Sequence, residues 1–215
     1  VTMNLLTDST VTIWHNQSAE SPREWGNISK MACWHGSYNL GDEDAADDLL
    51  EAIRTAPWYC VGWEEYGEFE RNFENPKVLL DTAIEVGVIA AYQNLYLYDH
   101  GGITMSTSSF SCRWDSGQVG FIYLLKKDVR KEYGIDRISK AWVTRLESWL
   151  DGEVETYDDY IRGNVFGFTI DDGTDSEDSC GGFYGYDPKT NGMFDHIPPE
   201  LHTKAVEAFD NIQYS

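Results

Sequence analysis

Residues 95–125 read LYLYDHGGITMSTSSFSCRWDSGQVGFIYLL, and three parts of this stretch are typical of β-strands. Segments 95–98 and 103–106 flank the turn DHGG at 99–102, which predicts a β-hairpin. Segment 119–125, VGFIYLL, is rich in residues that favour strands and is preceded by the turn signal DSG. Together these segments predict an antiparallel sheet in the middle of the chain.

Local signals outside this stretch predict helices and further strands. Asp42 is predicted to be the N-cap of a first helix, and Asn75 followed by Pro76 is a typical start of a second, whose apolar stripe continues to Ala90. A third apolar stripe with helical spacing comprises Ile138, Trp142, Leu146 and Trp149. The remaining predicted elements are strands at 11–14, 31–35, 165–170 and 180–184 and helices starting near 128, 157 and 198.

The order of these elements predicts the fold class. Strands interrupted by helices, without a regular βαβ alternation, are typical of an α+β fold with a mainly antiparallel sheet and packed helices. No internal repeat or flexible linker divides the sequence. We therefore predict a single α+β domain over residues 1–215, with a more loosely built N-terminal lobe over residues 1–70.

The chain is strongly acidic, with 37 Asp and Glu residues against 16 Lys and Arg residues and a formal net charge of -21. The excess lies in residues 1–100 and 151–215, whereas residues 101–150 are net basic. A hydrophobic content of 41% and an aromatic content of 14% exclude a disordered acidic chain. Adaptation to high salt would explain a uniformly acidic surface, but it would not leave a basic segment.

This charge distribution limits the partners. An acidic surface repels nucleic acid and anionic lipid and attracts basic surfaces. We therefore expect a protein partner with a basic nucleic-acid-binding surface, no direct contact with nucleic acid and no membrane association. Four isolated cysteines, Cys33, Cys60, Cys112 and Cys180, fit a reduced protein of the cytoplasm.

Three acidic segments are the predicted binding surfaces: a helix at 42–51, an aromatic-rich segment at 64–74, and a segment at 151–159. Closely spaced carboxylates can occupy a groove built for DNA, because duplex DNA carries one charge per about 1.7 Å of its axis. The predicted binding residues are Asp42, Glu43, Asp44, Asp47, Asp48, Glu51, Glu64, Glu65, Glu68, Glu70, Asp151, Glu153, Glu155, Asp158 and Asp159.

Five short blocks occur together in this chain: YNLGD at 38–42, LYDHGG at 97–102, WDSGQVG at 114–120, EVETYDDY at 153–160 and DSCGGFYG at 178–185. Their combination resembles a family of small acidic proteins found on bacteriophages and mobile elements. The resemblance covers roughly residues 30–185. It carries no catalytic residues with it, and it implies a phage-type protein made inside a bacterial cell.

The charge and this resemblance together predict an inhibitor of a bacterial defence machine, of the anti-CRISPR or antirestriction class. Such a protein would act in the cytoplasm of the host bacterial cell. It would mimic DNA and occupy the basic groove that normally holds nucleic acid. The mechanism requires no catalytic residue and no cofactor.

The alternative is a small cysteine-dependent hydrolase or nucleotide-processing enzyme. Cys112, which lies beside Asp115, or Cys180 would be the nucleophile, and His100 would be the base with Asp99 as its orienting carboxylate. Nucleophilic catalysis requires the thiol to lie within hydrogen-bond reach of the imidazole. Spacing in the sequence does not establish this reach, and glycine pairs after His100 and Cys180 are equally typical of tight turns.

Metal sites are the weaker candidates. Cys33-x-His35 with Cys60 lacks the paired CxxC-like spacing of structural zinc sites, and a Cys-x-His pair within a strand would simply share one face. The acidic loop at 171–178 fails the EF-hand pattern, because Gly173 and Gly182 stand at the third and twelfth positions. The solvated turn of a hairpin is the favoured interpretation of this loop, a weak calcium site of another type is the alternative, and we predict no metal.

A basic strip lies in the middle of the chain. Its members fall within twenty residues of one another, on two predicted helices. The strip could form ion pairs within the molecule, or it could join an acidic end of a second copy in a homodimer with Trp142 and Trp149 as apolar anchors. The members are Lys126, Lys127, Arg130, Lys131, Arg137, Lys140 and Arg145.

Overall fold

The structure is a computed structural model that describes residues 9–56, 75–173 and 177–213. Contacts group the chain into two compact units. The central unit is Arg23–Glu155, and the terminal unit combines Val1–Pro22 with Thr156–Ser215. Each unit has its own sheet and its own apolar core.

The described residues form seven strands and five α-helices. The strands are β1 (Thr10–His15), β2 (Lys30–Cys33), β3 (Ile89–Asp99), β4 (Ile103–Ser106), β5 (Ser116–Leu125), β6 (Val165–Asp171) and β7 (Glu177–Tyr184). The helices are α1 (Ala45–Arg54), α2 (Pro76–Glu85), α3 (Lys126–Tyr133), α4 (Lys140–Ile161) and α5 (His202–Gln213). Within these ranges no helix combines the length and the apolar character needed to cross a membrane.

The sheet of the central unit has four antiparallel strands in the order β2-β5-β3-β4. The predicted hairpin is confirmed, since β3 pairs with β4 and places Leu97 opposite Met105. The predicted strand at 119–125 is confirmed as the later part of β5. The α+β class with antiparallel sheets and packed helices is therefore confirmed, whereas the extent of the domain and the lobe at 1–70 stay predictions.

Helices α1 and α2 pack against β5 in the core of the central unit. Leu49 and Ile53 of α1 and Leu79 of α2 are buried against Phe121 and Tyr123 of β5. The Tyr123 hydroxyl donates a hydrogen bond to the backbone oxygen of the first α1 residue at 2.6 Å. Burial of each large apolar side chain contributes roughly 1.5–3 kcal/mol, so this core fixes the position of α1.

Helix α1 begins later than predicted. Asp44, and not Asp42, occupies its N-cap position, and the Asp44 side chain makes no capping hydrogen bond. The Asp42 carboxylate instead accepts hydrogen bonds from Arg23 and, at 2.8 Å, from the backbone N–H of Met31. The predicted N-cap is therefore wrong, because a tertiary contact outweighs the local capping signal.

Helix α2 confirms the predicted start but ends earlier than predicted. The Asn75 side chain accepts a hydrogen bond from the backbone N–H of Lys77 at 3.0 Å, and Pro76 is the first helical residue. The helix ends two residues before Gly87, which has a φ of 75°, a left-handed conformation that commonly terminates helices. The predicted continuation to Ala90 is wrong, since that residue lies in β3.

Helix α4 joins two elements that the sequence predicts separately. It runs for 22 residues and contains Trp142, Leu146 and Trp149 of the predicted stripe, together with the predicted short helix starting at 157. Ile138, the first member of the stripe, lies before the helix. The helix passes through Gly152, where a glycine costs about 1 kcal/mol relative to alanine but does not enforce a break. The boundary between the two units falls within α4, after Glu155.

The terminal unit contains an antiparallel sheet in the order β1-β6-β7 and an apolar core in which Phe166, Phe168, Met193 and Phe209 are buried. Helix α5 contacts β1. Strand β6 pairs with β7 along Val165–Asp171, so that Val165 stands opposite Tyr184 and Asp171 opposite Glu177. The two ends of the acidic stretch at 171–178 therefore lie on paired antiparallel strands, whereas residues 174–176, the middle of the predicted turn, lie outside the described residues.

The side chain of Trp14 accounts for the occurrence of glycine at two positions of this sheet. A Cβ atom on Gly167 would lie 2.3 Å from the indole ring, and one on Gly181 would lie 2.9 Å from it. The indole Nε1 donates a hydrogen bond to the Thr169 hydroxyl at 3.2 Å. The ring therefore occupies space that only glycine leaves open on the strands beside it.

Candidate interaction surfaces

Helix α1 presents an acidic stripe to solvent. Its apolar side chains are buried in the core, so its polar positions face outward. Asp48 is half-buried and pairs with Lys30 at 3.1 Å. The exposed carboxylates, which we call the acidic stripe, are Glu43 and Asp44 just before the helix and Asp47 and Glu51 on it.

Asp42 and Glu153 do not belong to an external acidic surface, because both bind Arg23, whose side chain is only 5% exposed. Arg23 Nε and Nη2 donate to the two Asp42 oxygens at 2.9 and 2.8 Å, and Nη1 donates to Glu153 at 2.7 Å. Arg23 also donates to the backbone oxygen of Ser29 at 2.9 Å, and the Ser29 hydroxyl donates to Glu153. These four residues form the Arg23 cluster.

The Arg23 cluster is charged but internally compensated. Burial alone would lower the pKa of Arg23, but the hydrogen bonds and negative charges of Asp42 and Glu153 outweigh burial and raise the pKa. The guanidinium therefore stays protonated between two carboxylates. The Arg23 cluster connects the segment before β2, the segment before α1 and helix α4. Asp42 and Glu153, both predicted binding residues, therefore have a structural role.

The other predicted carboxylates of α4 do not form one surface. Glu155 is exposed, whereas Asp158 pairs with an arginine one turn later at 3.3 Å. Asp159 accepts a hydrogen bond from the side-chain amide of Asn164 at 3.2 Å. One carboxylate oxygen of Asp151 is buried and has no hydrogen-bond partner among the described residues.

Several predicted functional residues lie outside the described residues. They belong to the aromatic-rich acidic segment and to the zinc candidate. Their roles stay predictions. They are Cys60, Glu64, Glu65, Glu68 and Glu70.

A second candidate surface, which the sequence does not single out, lies beside the ends of β3 and β5. Trp114 is 96% exposed and lines an open pocket of about 460 Å³ together with Asp99 and Asp115. The Tyr38 hydroxyl donates a hydrogen bond to Asp99 at 3.0 Å, and this bond raises the pKa of Tyr38. We call Trp114, Asp99 and Asp115 the tryptophan pocket.

The tryptophan pocket has the chemistry of a site for a basic side chain. The face of an indole attracts a Lys or Arg cation, and neighbouring carboxylates can pair with it. The signal that could have found this site is topological. The turn at 99–102 and the turn at 115–117 lie at the same end of two paired antiparallel strands, where Tyr98 stands opposite Ser116.

The contacts around Cys112 do not suit activation of its thiol. Cys112 Sγ lies 3.5 Å from Asp115 Oδ2, and His100 Nδ1 lies 3.2 Å from the same oxygen. The carboxylate thus contacts both the thiol and the imidazole, whereas an activated cysteine needs the imidazole to contact the thiol. Cys180 lies on β7 of the terminal unit, where its Sγ is 3.9 Å from the backbone oxygen of Gly181.

Cys33 is predicted to be unreactive in the folded protein. Burial of its thiol, reinforced by the negative charge of Asp42, raises the pKa of Cys33 to about 12. Because the thiolate is the reactive species, only about one molecule in ten thousand is reactive at this site at pH 8. We expect iodoacetamide labelling, followed by peptide mass spectrometry, to modify Cys33 far more slowly than in urea. Equal rates in both conditions would contradict the burial of this thiol.

The structure does not place Cys33 and His35 on one face of a strand, as the zinc candidate assumes. Strand β2 ends at Cys33, so the predicted strand to 35 is wrong and His35 lies beyond the last paired residue. His35 Nδ1 accepts hydrogen bonds from the backbone N–H groups of Ser37 and Tyr38, each at 3.2 Å. In the part of the chain that the structure describes, no three His, Cys, Asp or Glu side chains are grouped as a metal site requires.

The basic strip forms no ion pairs within the described part of the chain. Among the described residues, none of its seven cations takes part in a salt bridge, so the interpretation as intramolecular pairs is wrong for these ranges. Arg145 instead lies over the rings of Trp142 and Trp149, at 5.5 and 4.7 Å from the ring centres. Both tryptophans are half-buried and pack against Tyr133. The homodimer stays a prediction.

Comparison of the chain with protein-family models, with curated proteins and with solved structures finds no match in any of the three. The resemblance carried by the five sequence blocks therefore stays a prediction. We therefore infer the function from the geometry and the charge of the surfaces described above.

Proposed function

We propose that this protein binds a basic, nucleic-acid-binding surface of a partner protein and blocks it. The observation that carries the proposal is the acidic stripe on α1. Its four exposed carboxylates form no salt bridge with any described residue, so they are available to cations of a partner. Nucleic acid itself would be repelled by the same charges.

The spacing of the carboxylates on α1 is comparable with that of phosphates. Asp44 and Glu51 are seven residues apart, which corresponds to about 10 Å of helix. Asp47 lies between them, whereas Asp48 pairs with Lys30. The carboxylates of the stripe therefore occur about every 5 Å here, the same order as one phosphate per about 3.4 Å along a single DNA strand. The buried face of α1 holds this array rigid, which reduces the ordering cost of binding.

The tryptophan pocket supports the same class of partner. It offers a nearly fully exposed indole beside the carboxylates of Asp99 and Asp115. Aromatic side chains of this kind are frequent anchors in protein interfaces, and an Arg or Lys of the partner would satisfy both the ring and the charges. A DNA-binding groove is rich in such side chains.

The biological setting belongs to the proposal as well. The five blocks that resemble phage and mobile-element proteins favour action inside a bacterial cell. A nucleic-acid-binding defence enzyme, such as a restriction endonuclease or an RNA-guided nuclease, presents the basic groove that the acidic stripe would occupy. The protein would then act as a competitive inhibitor of DNA binding.

The test is displacement of a labelled DNA duplex from a purified restriction endonuclease and from an RNA-guided nuclease, followed by fluorescence anisotropy. The triple variant Asp44→Asn, Asp47→Asn and Glu51→Gln removes three charges from the acidic stripe with little change of shape. Each lost charge-assisted contact is worth about 1.5–3 kcal/mol, so we expect displacement to weaken by at least about tenfold.

The matched control removes three exposed carboxylates of the terminal unit through Glu200→Gln, Glu207→Gln and Asp210→Asn. Net charge changes equally in both variants, so a loss confined to the α1 variant identifies the stripe and not overall charge. Displacement should also weaken steeply as salt is added. Equal losses in the two variants, or displacement that does not depend on salt, would contradict the proposal.

A further inference from the structure

A cleft of about 430 Å³ lies in the central unit, between the C-terminal end of α1, the turn before β3 and the start of α3. This volume falls within the range of small-molecule sites, roughly 300–1,000 Å³. Its floor includes the apolar side chains of Ala52, Val86 and Leu125. Its basic side chains are Lys126, Lys127 and Arg130, and among the described residues no Asp or Glu lines it. We call it the cationic cleft.

The charge of the cationic cleft is a local feature. A neighbouring pocket that shares Lys127 is lined by three lysines and three carboxylates, and is therefore balanced. The described lining of the cationic cleft has three basic side chains and no carboxylate, in a chain with a formal net charge of -21. Remote carboxylates act on its contents only weakly, because charges are screened beyond about 8 Å at physiological salt.

The three cations have no internal counter-charge among the described residues, since none of them forms a salt bridge there. Lys126 Nζ lies 3.6 Å from the position that a Cβ atom on Gly87 would occupy. The absence of a side chain there leaves the ammonium room beside the cleft. Like charges that line one cleft repel one another, and a bound anion would relieve this repulsion.

We propose that the cationic cleft binds a small phosphorylated molecule that carries an apolar or aromatic group. A phosphate monoester has a charge of about −1.5 to −2 at pH 7 and three acceptor oxygens, so it can be shared by several cations. A single carboxylate carries half that charge and neutralises three cations less well. The apolar floor provides a surface for the rest of the molecule, and the limited volume excludes a folded macromolecule.

The first experiment uses three probes: adenosine 5′-monophosphate, inorganic phosphate and adenosine. Binding is followed by chemical-shift changes in two-dimensional amide NMR spectra of the full chain. We expect the nucleotide to bind more tightly than phosphate, and adenosine to bind weakly, with shifts centred on residues of the cationic cleft such as Gly87 and Lys127. Failure of both phosphate-bearing probes to bind, or equal binding of adenosine and the nucleotide, would overturn the proposal.

The second experiment identifies the site. Lys127→Gln with Arg130→Gln removes two exposed cations of the cleft, and should weaken nucleotide binding by about tenfold or more. Arg137→Gln with Lys140→Gln changes the net charge equally on exposed residues outside the cleft and should leave the affinity unchanged. Equal effects of the two variants would show that binding follows overall charge and would refute the site.

A steric variant separates occupation of the cleft from electrostatics. Thr55 is exposed and lines the cleft, so Thr55→Trp would fill its volume while keeping every cation. We expect this variant to lose nucleotide binding with an unchanged circular dichroism spectrum. Nucleotide binding that survives in the folded Thr55→Trp protein would place the ligand elsewhere.

Discussion

Replacing Arg23 with glutamine should lower the free energy of unfolding of the central unit by about 3–5 kcal/mol. The reason is that Asp42 and Glu153 would lose the cation that compensates them in a place with little solvent. Arg23 makes four side-chain hydrogen bonds at 3.0 Å or less, and their acceptors lie just before β2, before α1 and in α4. Hydrogen exchange measured by mass spectrometry reports each unit separately and is the appropriate measurement.

The control is Lys30→Gln in the same unit. Lys30 pairs with Asp48 at 3.1 Å, but both side chains are 40% or more exposed, and such pairs contribute at most about 1 kcal/mol. Adding Asp42→Asn to Arg23→Gln should cost little more than the single change, because the carboxylate left without a partner is then neutral. A small effect of Arg23→Gln, or strictly additive effects of the two substitutions, would contradict the structural role of the cluster.

The fold class could be predicted because its determinants are local. The hairpin over β3 and β4, the apolar run of β5 and the Asn75-Pro76 start of α2 are each encoded within a few neighbouring residues. Errors occur where a distant residue competes with a local signal. Asp42 has the sequence context of an N-cap, but Arg23, 19 residues earlier, binds its carboxylate.

The candidate surfaces were predictable to different degrees. The exposed carboxylates of α1 follow from helical periodicity, since the apolar positions fix which face is outside. The members of the Arg23–Glu153 pair are 130 positions apart, so the pair leaves no local pattern in the sequence. The tryptophan pocket and the cationic cleft also depend on strand pairing and helix packing that bring distant segments together. Charge counts alone therefore assign Glu153 to a surface that it does not form.

Gly120 is the second position where a small change should have a large effect. It lies in β5, and a Cβ atom there would lie 2.0 Å from the backbone oxygen of Ala32 and 2.9 Å from the Cα of Cys33 on β2. Backbone atoms of a paired strand cannot move aside as the end of a flexible side chain can. A glycine inside a strand often marks such a close approach of two backbones.

We therefore expect Gly120→Ala to destabilise the central unit by about 1–3 kcal/mol, the usual cost of overpacking, and to increase hydrogen exchange most strongly in β2. Gly117→Ala is the matched control, because Gly117 lies in the same strand, is exposed and has open space where its Cβ would be. That variant should be neutral or slightly more stable, since alanine restricts the unfolded chain. If both substitutions had the same effect, the loss would reflect strand propensity alone, and β2 would not pack as closely on β5 as the structure indicates.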